Sequence, residues 1–159
     1  MNENEQDIVN QRDTIDAFDI WMNTLPGVGM NGEGFTFKEI PTVAGECEVD
    51  YSMWWNHLCV GMVEVKCFTR DHEKLLIDRP KMVKLWDYKK RGVPGILVFR
   101  TPDGIWAQDI RTLTRKKDQW EEAPEDMMAT TNHGLERRDK PLKGFLLPKD
   151  IFWEVWRAE

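Results

Sequence analysis

The stretch Leu58-Cys-Val-Gly-Met-Val-Glu-Val-Lys-Cys67 decides how the rest of the chain is read. It alternates like a strand. Leu58, Val60, Met62, Glu64 and Lys66 share one face, and Cys59, Gly61, Val63 and Val65 share the other. Its apolar content predicts a central strand, yet Glu64 and Lys66 break the rule that charges stay off buried strands. Two opposite charges project side by side from one face, either as a structural ion pair or as a site. Glu-x-Lys alone carries little weight, because at average residue usage it arises by chance in about half of chains this long. Its neighbours have to decide.

Upstream, Cys47 to Met53 (CEVDYSM) reads as a strand, and Trp54 to His57 can turn it back to pair antiparallel with Leu58–Cys67. If paired residue numbers sum to an even value, Glu48 and Asp50 fall on the face of Glu64 and Lys66. A slip of one residue turns them away. Burying Val49 beside Val63 and Val65 favours the even register. Phe35 to Val43 is a further strand, pushed towards an edge by Pro41. Ile15, Phe18, Trp21 and Met22 recur at helical spacing and predict a helix from about Ile8 to Leu25, stopped by Pro26-Gly27. Residues 1–6 are expected to be disordered. Gly27 to Gly34 is a glycine-rich loop without a lysine or a following helix signal, so it is not a phosphate cradle.

Downstream, Thr69 to Lys74 reads as a charged loop. A helix is expected from Asp78 or Pro80 to Arg91, with Met82 or Val83, Leu85, Trp86 and Tyr88 as its apolar stripe. Pro80 suits its first turn, Lys89 to Arg91 suit its dipole and Gly92 ends it. Ile96–Phe99 and Ile105–Ile110 are strands separated by the turn Thr101-Pro-Asp-Gly104. Strand, helix and strand in succession predict a crossover to a parallel neighbour. Residues 111–144 read as an irregular charged region with room for a short helix. The tail Phe145–Trp156 reads as a strand end and then a helix from near Pro148, with Phe152, Val155 and Trp156 on the core.

The 159 residues suit a single domain, 1–159, with a core of its own. The acidic N-terminus carries no apolar run, which reads as no signal peptide, and no stretch reaches transmembrane length. Three cysteines without a secretion signal read as reduced thiols in a cytoplasm. Cys59 and Cys67 are expected as small buried thiols. Net charge is −6, but residues 1–64 hold 12 acids against 2 bases while residues 65–159 hold 16 against 20. The acidic half must be neutralised at a metal site or face away from any polyanion. The basic half offers Lys81, Lys84 and the run Arg115-Lys116-Lys117 as a nucleic-acid surface.

The order helix, strand, strand, strand, helix, strand, strand, with Asp50 on one strand and Glu64-Val65-Lys66 on its hairpin partner, resembles the PD-(D/E)xK nuclease superfamily. Glu48-Val49-Asp50 and Val63 to Lys66 are similar to the small resolvase-like and VRR-type nucleases of bacteria and phages. Lys81, Leu85, Tyr88 and Gly92-Val93-Pro94 are similar in spacing to that family's following helix and strand. Val49 stands where a proline is frequent, and Lys81 where many VRR-type members have glutamine. The resemblance covers roughly Glu46 to Arg100.

The resemblance implies an α/β restriction-endonuclease-like fold with its catalytic core at 46–110. It implies a Mg²⁺- or Mn²⁺-dependent nuclease, acting on DNA as an endonuclease in a bacterial or phage-infected cell. It makes Asp50, Glu64 and the Val65 carbonyl the metal ligands, and Lys66 the residue that orients the attacking water. Glu48 is implied as an auxiliary ligand, Asp16 as an outer acid and Lys81 as a polar side chain facing the site. A homodimer and a nucleic-acid partner follow from it, and no membrane. The alternatives are a nuclease-like fold that binds DNA or protein without cutting, and an unrelated interaction protein in which Glu64–Lys66 is structural.

Overall fold

In the computed structural model, which describes residues 3–29, 33–41, 49–124 and 143–159, the stretch around Glu64 is the longest strand. The chain opens with helix α1 (Glu3–Asn23), already helical within the segment expected to be disordered. Ile15, Phe18 and Met22 give it one buried stripe. Strands β1 (Phe35–Glu39), β2 (Tyr51–Trp55) and β3 (Leu58–Cys67) follow. Asn56, at φ 54°, makes the tight β2–β3 turn, a position where asparagine tolerates left-handed backbone.

Strand β4 (Lys74–Asp78) leads directly into helix α2 (Arg79–Lys90). Pro80 lies in its first turn, as the sequence predicts, and Asp78 caps the helix. Met82 and Leu85 are buried, and Val83 is exposed. Strands β5 (Gly95–Thr101) and β6 (Gly104–Asp109), helix α3 (Ile110–Arg115) and the two-residue strand β7 (Glu121–Glu122) come next. Strands β8 (Gly144–Pro148) and β9 (Trp153–Arg157) end the chain.

Six strands form one sheet in the order β1-β2-β3-β5-β6-β9. Among the described residues only β3 and β5 pair in parallel, which is the expected crossover. Strands β4, β8 and β7 make a second, three-stranded antiparallel sheet. The two faces of the large sheet carry separate cores. Val63, Val65, Ile96 and Val98 pack on the Phe18 side of α1. Leu97, Phe99 and Trp106 pack with Met82 and Leu85 of α2, Leu113 of α3, and Leu75, Ile77 and Leu147 of the small sheet. Strand β5 is thus buried on both faces, as its unbroken apolar run requires.

The structure departs from the sequence reading in further places. Strand β4 was not expected. Its Leu75-Leu76-Ile77 run is short, and its partner β8 arrives only near the end of the chain. The expected C-terminal helix is instead a 3₁₀ turn (Lys149–Ile151) followed by β9, which pairs with β6. Aromatic and β-branched residues in Trp-Glu-Val-Trp suit the strand once an edge is free to receive it. Trp156 is accordingly exposed, not packed on the core. In the region 111–144 the short helix is α3, which starts at Ile110, and the strand β7 was not expected, while 125–142 fall outside the described residues. Cys59 is exposed rather than a buried thiol, whereas Cys67 is partly buried against Thr14 of α1, at 3.6 Å.

Candidate active site

Strand β3 presents Glu64 and Lys66 to the α2 side of the sheet, and Val63 and Val65 to the α1 side. Tyr51 lies opposite Val63 and Ser52 opposite Met62, so the register at this end of the hairpin is the even one. A bulge between Met53 and Trp54 shifts it only near the turn. The reason offered from sequence does not hold, however. Val49 packs in the α2-side core with Leu75 and Leu97, away from Val63 and Val65. The chain leaves strand geometry before Tyr51, and Asp50 sits in a bend.

That bend is what aims Asp50. Its backbone N–H donates to Val63 O at 3.1 Å, and its Oδ2 accepts from the Val65 N–H at 2.8 Å. The Asp50 carboxyl comes within hydrogen-bonding reach of Glu64. Glu64 is only 2% exposed. Burial, then the neighbouring Asp50 charge, push the Glu64 carboxyl up to about 8, with Lys81 and Lys66 opposing. Burial likewise raises Asp50 despite its bond from Val65 and the Lys81 and Lys66 charges. Two carboxylates this close and this dry repel one another unless a proton or a cation sits with them.

Two lysines border the pair. Lys81 of α2 reaches both Glu64 oxygens, at 3.2 Å and 3.4 Å. Lys66 does not pair with Glu64, the partner a purely structural reading would give it. Its Nζ lies 3.1 Å from Asp78 Oδ2. Asp78 Oδ1 accepts from the Lys81 backbone N–H at 3.0 Å, capping α2. Asp78 was not singled out from the sequence. The available signal was a capping residue immediately ahead of Arg79-Pro80, but nothing local says that such a cap reaches Lys66.

Asp50, Glu64, Lys66 and Lys81 are therefore brought together. Glu48 lies outside the described residues. Asp16 is not brought in: it is exposed on α1, where its charge acts on Asp19 and Tyr51. Lys84 follows Lys81 along α2, its ammonium 5.6 Å from the Tyr88 ring centroid. Arg115 and Lys117 are exposed and Lys116 half-buried around the end of α3. The Trp86 indole N–H donates to Thr114 at 2.9 Å and Lys117 lies over the Trp86 ring, so these bases sit beside α2.

Among the described residues no set of three or more His, Cys, Asp or Glu side chains is placed to hold a metal ion. Asp50 and Glu64 nonetheless fit Mg²⁺ or Mn²⁺. Such ions take oxygen donors and are commonly held by one or two carboxylates, with water and substrate completing the shell. With Asp50, Glu64 and Asp78 all ionised, three carboxylates face two ammonium groups, and either a proton on Glu64 or a bound cation makes up the missing positive charge.

No family model matches the sequence, and no curated protein matches it. Solved structures do. D212, a nuclease from a fusselovirus, aligns with a TM-score of 0.52 at 9% identity, over 95% of this chain and 84% of that one. The Holliday junction resolvase Hjc of Archaeoglobus fulgidus aligns at 0.44 with 13% identity, over 76% of this chain and 85% of that one. The fold is restriction-endonuclease-like, a mixed sheet flanked by helices as the sequence predicts.

Proposed function

We propose that the chain is a divalent-metal-dependent nuclease of the PD-(D/E)xK type, cutting DNA as an endonuclease. The observation that carries this is the Asp50–Glu64 pair: two adjoining carboxylates with raised proton affinity, one from strand β3 and one from the bend ahead of β2, set between two lysines. A fold shared with a viral nuclease supports it.

In this reading Asp50, Glu64 and the Val65 carbonyl hold Mg²⁺ or Mn²⁺, which supplies charge at the scissile phosphate and a more acidic water. The Val65 N–H keeps Asp50 turned towards Glu64. Lys66 orients the attacking water and counters the charge that develops on the phosphate. Lys81 compensates the Glu64 charge. Lys84, Arg115, Lys116 and Lys117 contact backbone phosphates, and the acidic N-terminal part faces away from them. A homodimer is part of the proposal.

A second reading has one observation in its favour. Lys81 on Glu64 and Lys66 on Asp78 already satisfy much of the charge internally, as an inert nucleic-acid- or protein-binding relative would. One experiment separates the two. Purified protein is incubated with duplex, branched, flapped and single-stranded DNA, and with RNA, in Mg²⁺, Mn²⁺ or EDTA. Metal-dependent cleavage lost in both Asp50→Asn and Glu64→Gln is the expected result. Intact substrates throughout would favour the inert relative.

A further inference from the structure

We propose that Asp78 is a positioning residue, one carboxylate oxygen fixing the start of α2 while the other holds the Lys66 ammonium in place beside the acid pair. The proposal rests on the nuclease reading, in which Lys66 meets the attacking water.

Asp78 is itself held from several sides. It is the last residue of β4, and its backbone is extended, at φ −73° and ψ 150°. It lies opposite Gly144 of β8, and the next residue, Arg79, donates its N–H to Lys143 O at 2.8 Å. Oδ1 is committed to the Lys81 N–H at 3.0 Å. With the backbone and one oxygen set, the direction of Oδ2 is set too, and it meets Lys66 Nζ at 3.1 Å. The Asp78 side chain is 11% exposed and that of Lys66 is 26%, so the contact is shielded without being sealed.

Lys66 needs such a partner. Its stem is long and flexible, and the carboxylate nearest along its own strand face is Glu64. An unheld Lys66 would settle on Glu64 or Asp50, the groups the nuclease reading assigns to the metal. Asp78 draws the ammonium to the other side. Because the same carboxylate caps α2, and α2 carries Lys81, both lysines take their placement from one residue. The small sheet acquires a task by the same route, since β4 pairing with β8 sets where Asp78 stands.

The two tasks separate by mutation. Asparagine and serine both cap helices nearly as well as aspartate. Asparagine, however, offers Lys66 no charge, and serine is too short to reach it. Glutamate keeps the charge within reach of Lys66 but is a poorer cap. For Asp78→Asn and Asp78→Ser we expect melting temperatures within about 5 °C of wild type, unchanged DNA binding in Ca²⁺, and a Mg²⁺-supported kcat at least about tenfold lower at similar KM. Asp78→Glu should melt below Asp78→Asn yet cut faster than it.

A residue that served only the fold would give activity that follows melting temperature across the series. That order, or Asp78→Asn or Asp78→Ser cutting within twofold of wild type, overturns the proposal while leaving the nuclease reading intact. Wild-type protein that cuts no DNA or RNA in Mg²⁺ or Mn²⁺ overturns both.

Discussion

Glu64 is nearly as buried as any leucine of the core, and that sets the behaviour of the acid pair. Ionising it costs the folded protein more than the unfolded chain, so folding retains a proton between the ordinary carboxylate range and about 8. The stability tied to this group is complete below that range and is lost as pH rises through about 8. In metal-free buffer, Glu64→Gln should gain on wild type by about 5 °C in melting temperature between pH 5 and pH 9. A difference that stays flat with pH would mean that another group holds the proton. Asp50 gives a second expectation. Mn²⁺ or Ca²⁺ should raise the wild-type melting temperature by linkage, and Asp50→Asn should abolish the rise. The same heat of metal binding in both proteins would remove Asp50 from the site. Lys66 has an expectation of its own. Lys66→Ala frees Asp78 from its ion pair but not from its capping bond. It should fold and still bind DNA in Ca²⁺, while cleavage falls by orders of magnitude. Cleavage at the wild-type rate would end the catalytic assignment.

At the scale of elements, the small sheet and the last strand matter most. Leu147 of β8 is fully buried and lies opposite Leu75 of β4, itself fully buried. Leu147→Ala should cost about 2–5 kcal/mol in chemical denaturation. Because β8 supports the strand that ends at Asp78, cleavage should suffer more than a surface change of equal stability cost. The β6–β9 pairing has its own sensitive point. A Cβ on Gly104 would stand 2.5 Å from the Trp156 carbonyl oxygen, which is backbone and cannot swing aside. Gly104→Ala should therefore destabilise by about 1–3 kcal/mol. Wild-type stability in that variant would mean that β9 is not paired at Gly104.

Across the whole molecule the charge asymmetry stands out. Lys84 and the bases at the end of α3 lie on the α2 side of the sheet, the side that also carries Glu64 and Lys66. Reversing Lys116 and Lys117 to glutamate should weaken DNA binding several-fold and flatten its dependence on salt. Unchanged affinity and salt slope would make that run a solvated surface and leave phosphate contact to α2.

Strand β3, strand β5 and α2 with Pro80 in its first turn and Gly92 at its end were all legible in the residues, because alternation, helical spacing and helix-end signals act over a few neighbours. The parallel β3–β5 crossover followed from element order, whereas the residues left the hairpin register open and a bend ahead of β2 is what brings Asp50 to Glu64. What lay beyond the residues was settled by partners distant in sequence. Strand β4 exists as a strand because β8 pairs with it, and β9 because β6 offers an edge. Val49 crosses to the α2-side core because the backbone bends at Asp50, a turn that no periodicity announces. The partner of Lys66 was decided in the same way. Local alternation places Lys66 beside Glu64, but tertiary packing carries the start of α2 over the sheet and offers Asp78 instead. Residue pattern determines which groups leave each face of a strand, and only the assembled sheets and helices determine which groups they meet.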